Sequence, residues 1–202
     1  MRVGETMEPT DGELLERSRK RDCEAFGRLV DRYKDRMVNY LARLTGCRDR
    51  AEDVAQETFV RFFQGLDRYR DQGHLMAYLY RVATNLVRSE ERRKRRWQLL
   101  SPLILAGNGH RDKGPQEETL AHEAESQVTR ALAAVDLIYR VPLVLREIEG
   151  RSYLEIAEVL GVSEGTVKSR LHRGRRLLKE ELAPYWNEAR AGRGARPEGA
   201  HA

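Results

Sequence analysis

The sequence predicts an all-α protein of two small helical domains joined by a flexible linker, the second containing a helix-turn-helix. Three observations carry this prediction. From Asp11 nearly to Arg96 apolar residues recur at intervals of three and four, with no strand-like alternation of useful length. Residues 97–116, WQLLSPLILAGNGHRDKGPQ, interrupt the pattern with two Pro, three Gly and an Asn-Gly pair. Residues 152–179, SYLEIAEVLGVSEGTVKSRLHRGRRLLK, read as two short amphipathic segments on either side of a tight Gly-Val-Ser turn.

The first domain is expected over 11–96, after a disordered start at residues 1–10. Leu14 and Leu15 mark a short first helix. A long amphipathic helix follows, with Phe26, Leu29, Val30, Tyr33, Met37, Tyr40, Leu41 and Leu44 on one face and Gly46 closing it. The third helix starts after Asp49 and buries Ala51, Val54, Ala55, Phe59, Phe62, Phe63 and Leu66. Its opposite side shows Asp53, Gln56, Glu57, Val60 and Gln64. That side reads either as a solvated face or as a protein-docking surface with one exposed valine. Residues 67–74 form a polar loop holding Tyr69, and a fourth helix runs from Leu75 to about Arg96.

Leu75, Leu79, Val82, Ala83 and Leu86 of that fourth helix point inward, while Tyr78, Arg81, Asn85, Arg88 and Arg92 recur on another side. Between Arg81 and Arg96 stand seven Lys or Arg against two Glu. Aromatic rings beside arginines and an amide suit the stacking and hydrogen bonding of bases from an opened strand. The plainer reading makes Tyr69 or Tyr78 a rim residue.

In the linker, 97–116, the apolar patch 99–105 is too short to be a domain, and acids prevail over 97–127. The segment reads as a solvated tether or as a cover for a positive surface. The second domain is expected over 117–183. Val128, Ala131, Leu132 and Val135 suggest one helix and Leu143, Val144, Leu145 and Ile148 another, with Pro142 in the first turn of the latter, where its missing N–H costs little. Gly150 ends it.

In the helix-turn-helix, Ser152 and Glu155 have capping-box spacing, Gly161 takes the position that favours left-handed backbone, and Ser163 caps the second helix. Val167, Leu171 and Gly174 form the inner stripe; the other side carries Lys168, Ser169, His172, Arg173 and Arg176. Six Lys or Arg and no acid lie between Thr166 and Lys179, the pattern of a helix that enters a DNA major groove. The plainer reading is a solvated basic face. The tail, 184–202, is low in complexity and reads as disordered.

Charged residues make up 34% of the chain and the net charge is +5, which suits a protein that meets a polyanion. No run of about 18 apolar residues exists, so no membrane insertion is expected. The start, MRVGETMEPTDGE, lacks the apolar core of a signal peptide, and the expected location is cytoplasmic. Cys23 and Cys47 show no zinc spacing, and five scattered histidines assemble no metal or nucleophile set. No catalytic residue, metal or cofactor is expected, and the chain reads as a non-enzyme.

Two stretches carry a family resemblance. AEDVAQETFVRFF followed by YLYRVATNLVRSEERR resembles region two of the bacterial extracytoplasmic-function (ECF) sigma factors, and VPLVLREIEGRSYLEIAEVLGVSEGTVKSRLHRGRRLL resembles region four, together covering most of 11–182. The resemblance implies a dissociable promoter-recognition subunit of RNA polymerase. Asp53, Gln56 and Glu57 then match a surface for the polymerase β′ coiled coil. Tyr69 and Asn85 match positions around a flipped base of the minus-ten element. Tyr78 and Arg81 match the strand-opening helix, with Arg88 and Arg92 on the DNA backbone. Lys168, Ser169, His172 and Arg173 match the face that reads the minus-thirty-five element; Thr166 and Arg170 resemble backbone contacts, and Arg176 lies farther along, on phosphate. The implied partners are core RNA polymerase (β′ and β subunits), promoter DNA and an anti-sigma factor. The sequence departs from the family pattern at Val135-Asp136, Pro142 and Gly174. Two rival readings are a free-standing helix-turn-helix regulator of operator DNA, with 11–96 as sensor or dimerisation domain, and a nucleic-acid enzyme, which needs a carboxylate cluster that the sequence does not supply.

Overall fold

The computed structural model describes residues 8–70, 73–100 and 120–194, with the side chains of 100, 120–126 and 187–194 excepted. Every regular element among the described residues is helical. The chain divides into two compact units with a break after Lys94. None of the described helices is long and apolar enough to cross a membrane.

The first unit contains α1 (Asp11–Arg19), α2 (Cys23–Thr45), α3 (Arg48–Gly65) and most of α4 (Leu75–Leu100). Thr10 starts α1 through a reciprocal capping box with Glu13, and places Leu14 and Leu15 where both are fully buried. Asp22 caps α2 by accepting the Ala25 N–H at 3.0 Å. Asp11 accepts from Arg32 and Tyr33, which ties the start of α1 to α2. α3 begins at Arg48, two residues before the expected start, and buries Thr58 as well as the anticipated apolar side except Phe63, which is half-buried; the Thr58 hydroxyl is satisfied by the Val54 carbonyl at 2.7 Å.

Rings dominate the core of this unit. Phe62 is 1% exposed and meets Phe26, Tyr69 and Tyr78 at centroid distances of 6.0, 5.5 and 5.8 Å. Burying a ring of that size stabilises by roughly 1.5–3 kcal/mol, and each well-oriented pair adds about 0.5–1.5 kcal/mol. A second pair, Tyr40 with Tyr80 at 4.6 Å, is fully buried, and the Tyr40 hydroxyl shares a 2.7 Å hydrogen bond with Thr84. Tyr80 falls outside the inward set expected for α4.

α4 continues to Leu100, into the segment that the sequence assigns to the linker. No helix breaker occurs from Trp97 to Leu100; the first is Pro102, whose ring disfavours helical backbone at the residue before it. The rest of the expected linker, including most of the apolar patch 99–105, lies outside the described residues.

The second unit holds α5 (Leu120–Ala134), α6 (Leu137–Leu143), a π-helical turn (Val144–Ile148), most of α7 (Tyr153–Leu160) and α8 (Glu164–Gly194). α8 packs on α6 and α5. Arg140 joins α6 to the end of α5 by donating to the Val135 carbonyl at 2.7 and 3.0 Å and to the Ala133 carbonyl. Pro142 is not in a first turn. Asp136 starts the helix by accepting the Ile138 N–H at 3.0 Å, so Pro142 falls next to last in α6. Its ring supplies no N–H to the Ile138 carbonyl, and the helix widens directly afterwards into the π turn, closed by the Glu149 N–H on the Val144 carbonyl at 3.0 Å.

Gly174 decides how closely α8 approaches α6. A Cβ there would lie 2.9 Å from Leu143 Cδ1 and 3.3 Å from the Tyr139 carbonyl oxygen. α8 also outlasts the expected start of the tail, passing through Pro184 to Gly194. A proline inside a helix costs about 3 kcal/mol through one lost hydrogen bond and a local clash, and helix-forming Glu188, Ala189, Arg190 and Ala191 follow it. Residues 195–202 lie outside the described residues, as do 1–7.

Candidate nucleic-acid interface

On α4 the spacing of three and four brings Tyr78, Arg81, Asn85, Arg88 and Arg92 onto one stripe. Arg81, Asn85 and Arg92 are exposed; Tyr78 and Arg88 are half-buried. The Arg81 guanidinium lies 5.1 Å from the Tyr78 ring centroid, an aromatic–cation pair at the surface.

Tyr69 does not stand open on its loop as the sequence suggests. It is 8% exposed, tilted beneath Tyr78 at 4.8 Å and edge-on to Phe62 at 5.5 Å, so it forms the floor under Tyr78. Backbone contacts hold it there: its N–H donates to the Gly65 and Leu66 carbonyls at 3.1 and 3.2 Å. Arg19, at the end of α1, donates to the Tyr69 carbonyl at 2.7 Å. Arg19 escaped sequence reasoning because its partner lies 50 positions away and no local spacing marks it.

Asp53, Gln56 and Glu57 are exposed together on α3, with Val60 at 44% exposure beside them. Glu57 pairs with Arg61 at 2.7 Å. Next to this side, α2 and α3 leave an apolar groove of about 540 Å³ lined by Phe26, Val30, Val38, Phe59, Val60 and Phe63, with Gln56 at its edge. The valine was legible in the sequence; the groove was not, since half its wall comes from α2.

In the second unit the caps fall as expected. Ser152 Oγ accepts the Glu155 N–H at 3.2 Å, and Glu155 accepts the Ser152 N–H at 2.8 Å. That backbone hydrogen bond is the main reason the Glu155 carboxyl is lowered to about 2; Arg151 and the Ser152 hydroxyl add to it, and burial opposes it. Gly161 turns the chain at φ 64°, and Ser163 Oγ accepts the Thr166 N–H at 3.3 Å. Val167 and Leu171 are buried, which orients α8 so that Lys168, Ser169, His172, Arg173 and Arg176 are exposed and Thr166 and Arg170 half-buried. The Ser169 hydroxyl donates to the Thr166 carbonyl at 2.9 Å, leaving its oxygen turned outward as an acceptor.

Residues from neighbouring elements hold several of these cations. Arg173 lies 5.5 Å over the Tyr139 ring of α6, and Lys168 lies 6.0 Å from the Tyr153 ring at the start of α7. Arg175 donates twice to Glu147, at 2.7 and 3.0 Å. Arg176 reaches Glu180 at 3.8 Å. Sequence reasoning missed Tyr139, Glu147 and Tyr153 in these roles, since each lies on a different element from its partner.

The structure thus has two basic, partly aromatic surfaces on two separate units. The sequence matches the Sigma-70 region 2 family over residues 29–98 and the Sigma-70 region 4 family over residues 125–178. It is 31% identical over 176 residues to the ECF RNA polymerase sigma factor SigW of Bacillus subtilis (strain 168), spanning 83% of this chain and 94% of that relative. The chain belongs to the ECF sigma factors. It is also 30% identical over 183 residues to the ECF RNA polymerase sigma-E factor of Escherichia coli (strain K12), covering 87% of this chain and 95% of the relative. Among solved structures, CnrH in complex with the cytosolic domain of CnrY aligns with a TM-score of 0.63 at 26% identity, over 85% of this chain and 96% of that one. The sigma factor RpoE in complex with the anti-sigma factor NepR from Bartonella quintana shares the fold, with a TM-score of 0.63 at 24% identity over 78% and 96% of the two chains. In this sigma factor the region-two match takes in α3 and the stripe of α4, and the region-four match takes in α7, the turn and the exposed cations of α8.

Proposed function

We propose that this sigma factor docks on core RNA polymerase through Asp53, Gln56 and Glu57 of α3 and reads its promoter at two points. The stripe Tyr78, Arg81, Asn85, Arg88 and Arg92 takes the minus-ten element, with Tyr69 as the floor under Tyr78. Lys168, Ser169, His172 and Arg173 read the minus-thirty-five element, with Thr166, Arg170 and Arg176 on the DNA backbone. The observation that carries this reading is the orientation of α8: with Val167 and Leu171 buried, all four reading side chains face outward on adjoining turns. Phosphate contacts supply affinity and a few base contacts supply sequence choice. Two weak readers joined on one polymerase raise each other's effective concentration, so the spacing between promoter elements becomes part of specificity.

On this reading the chain performs no chemistry of its own and works in the cytoplasm, where polymerase is. The two structural neighbours were solved with partners, one with an anti-sigma factor and one with the cytosolic domain of CnrY, and we extend an anti-sigma partner to this chain. A free-standing regulator is not favoured, since the region-two match covers the segment that such a reading assigns to sensing or dimerisation.

The test is capture by core polymerase. Asp53 is exposed on α3, and exposed charge changes move stability by under about 0.5 kcal/mol. Asp53→Arg is expected to abolish holoenzyme assembly with its circular dichroism unchanged. Wild-type assembly by the folded variant would overturn the docking assignment.

A further inference from the structure

We propose that Tyr153 is a positioning residue for promoter recognition: it holds the Lys168 ammonium in the place from which that side chain reads a base of the upstream element. The inference rests on the reading of α8 given above and goes beyond it, since Tyr153 belongs to α7 and carries no base contact of its own in that reading.

Tyr153 is the first residue of α7, directly after its capping serine, and is half-buried. Three cations from two other elements gather around its side chain. Arg146, from the π turn, lies 5.0 Å from the ring centroid, and Lys168, from α8, lies at 6.0 Å. Arg175, also from α8, is raised in pKa chiefly by Glu147 and further by Tyr153. Two of the three are already engaged. Arg146 donates to the Arg151 carbonyl at 2.8 Å, and Arg175 is held by Glu147 at 2.7 Å. Lys168 alone of the three has no hydrogen-bond or ion-pair partner among the described residues, and it is exposed. The ring is therefore what limits where its ammonium goes.

That limit matters for reading. A lysine has four rotatable bonds and a compact, strongly hydrated charge, so an unrestrained one finds phosphate as readily as a base edge. An aromatic face within about 6 Å attracts the ammonium without consuming its three donors, which remain available to guanine acceptors. Arg146, itself hydrogen-bonded to the Arg151 carbonyl, lies 5.0 Å from the centroid of the same half-buried ring, so the face that Lys168 approaches belongs to a packed side chain. The neighbouring reader provides an internal control. Arg173 rests on a different ring, Tyr139, at 5.5 Å. Loss of Tyr153 is thus expected to disturb the base position read by Lys168 and to leave the one read by Arg173 alone.

The experiment uses full-length sigma in holoenzyme and promoter duplexes with a randomised upstream element, the bound fraction being sequenced. Lys168→Ala identifies the base position that depends on Lys168. Tyr153→Leu is expected to reduce preference at that same position by about three-fold, in keeping with the modest strength of an exposed cation–π contact. Tyr153→Phe, which retains the ring, is expected to restore the wild-type profile. The double variant Tyr153→Leu with Lys168→Ala should match Lys168→Ala alone. Should Tyr153→Leu fold poorly by thermal unfolding, Tyr153→Met retains the bulk without the ring and is read the same way. If Lys168→Ala flattens one position while Tyr153→Leu and Tyr153→Met leave it sharp, or if preference drops equally at every position, the positioning role is overturned. A flat response to Lys168→Ala itself would instead overturn the base-reading role of Lys168 on which the inference rests.

Discussion

The two recognition surfaces rest on different physics. On α4 the exposed stripe stands on a cluster of tilted and edge-on rings: Tyr78 against Tyr69 at 4.8 Å, and both against the buried Phe62. On α8 the exposed side chains are placed by charge. Lys168 and Arg173 lie over tyrosine faces and Arg175 is paired with Glu147. The difference matches the two proposed tasks. A site for an extruded base needs a rigid apolar floor, because stacking gains energy only against a surface already in place. A helix entering a groove needs long cations held near a position yet able to exchange partners, and cation–π contacts of order 0.5–1 kcal/mol leave that freedom.

The largest expected effect tests the packed half of this comparison. Phe62→Ala removes the ring under both tyrosines and is expected to destabilise the first unit by about 3–5 kcal/mol in urea unfolding. A loss below about 1 kcal/mol would mean that the ring cluster contributes little. The next tests the charged half. Arg173→Ala is expected to lose roughly 1–3 kcal/mol of discrimination at one or two upstream base positions. Arg176→Ala should instead weaken binding about equally on all sequences and lower the salt slope by roughly one unit. Holoenzyme binding to promoter variants at several salt concentrations separates them; uniform loss in both variants would make α8 a phosphate clamp.

A smaller effect concerns the cap that sets Tyr153 in place. Glu155 is lowered from 4.5 to about 2 in the folded chain. A carboxyl depressed on folding stabilises above its unfolded value and loses that contribution as pH falls from about 4.5 toward 2. Glu155→Gln should therefore flatten the acid limb of the stability profile, and Ser152→Ala should cost about 1 kcal/mol at neutral pH. The smallest is Gly174→Ala. Crowding Leu143 in a packed core costs roughly 1–3 kcal/mol, while replacing a helical glycine regains about 1 kcal/mol. A net loss near 1 kcal/mol is expected by thermal unfolding, and a stabilised variant would mean that Leu143 yields freely.

Much of the architecture was legible because it is local. The capping box of Ser152 with Glu155, the turn at Gly161 and the stripe from Tyr78 to Arg92 all follow from spacings of three and four residues, whereas Thr10, expected in a disordered start, caps α1 through Glu13. The prolines were less legible. Asp136 starts α6 early and leaves Pro142 inside it, and α8 runs through Pro184, since a breaker's cost is weighed against packing and neighbouring helix formers that a local rule does not see.

The sequence by itself determined which segments coil, where they are capped and which side of each is apolar, because hydrogen bonds between near neighbours and helical periodicity settle those matters. Tertiary structure alone decided that Tyr69 lies under Tyr78, that the walls of α2 and α3 leave a groove, and that Lys168 and Arg173 each meet a ring. Contacts of that kind depend on the distance and angle between helices. Those are set by how Phe62 fills the first core and how closely Gly174 lets α8 approach α6, which no single segment encodes.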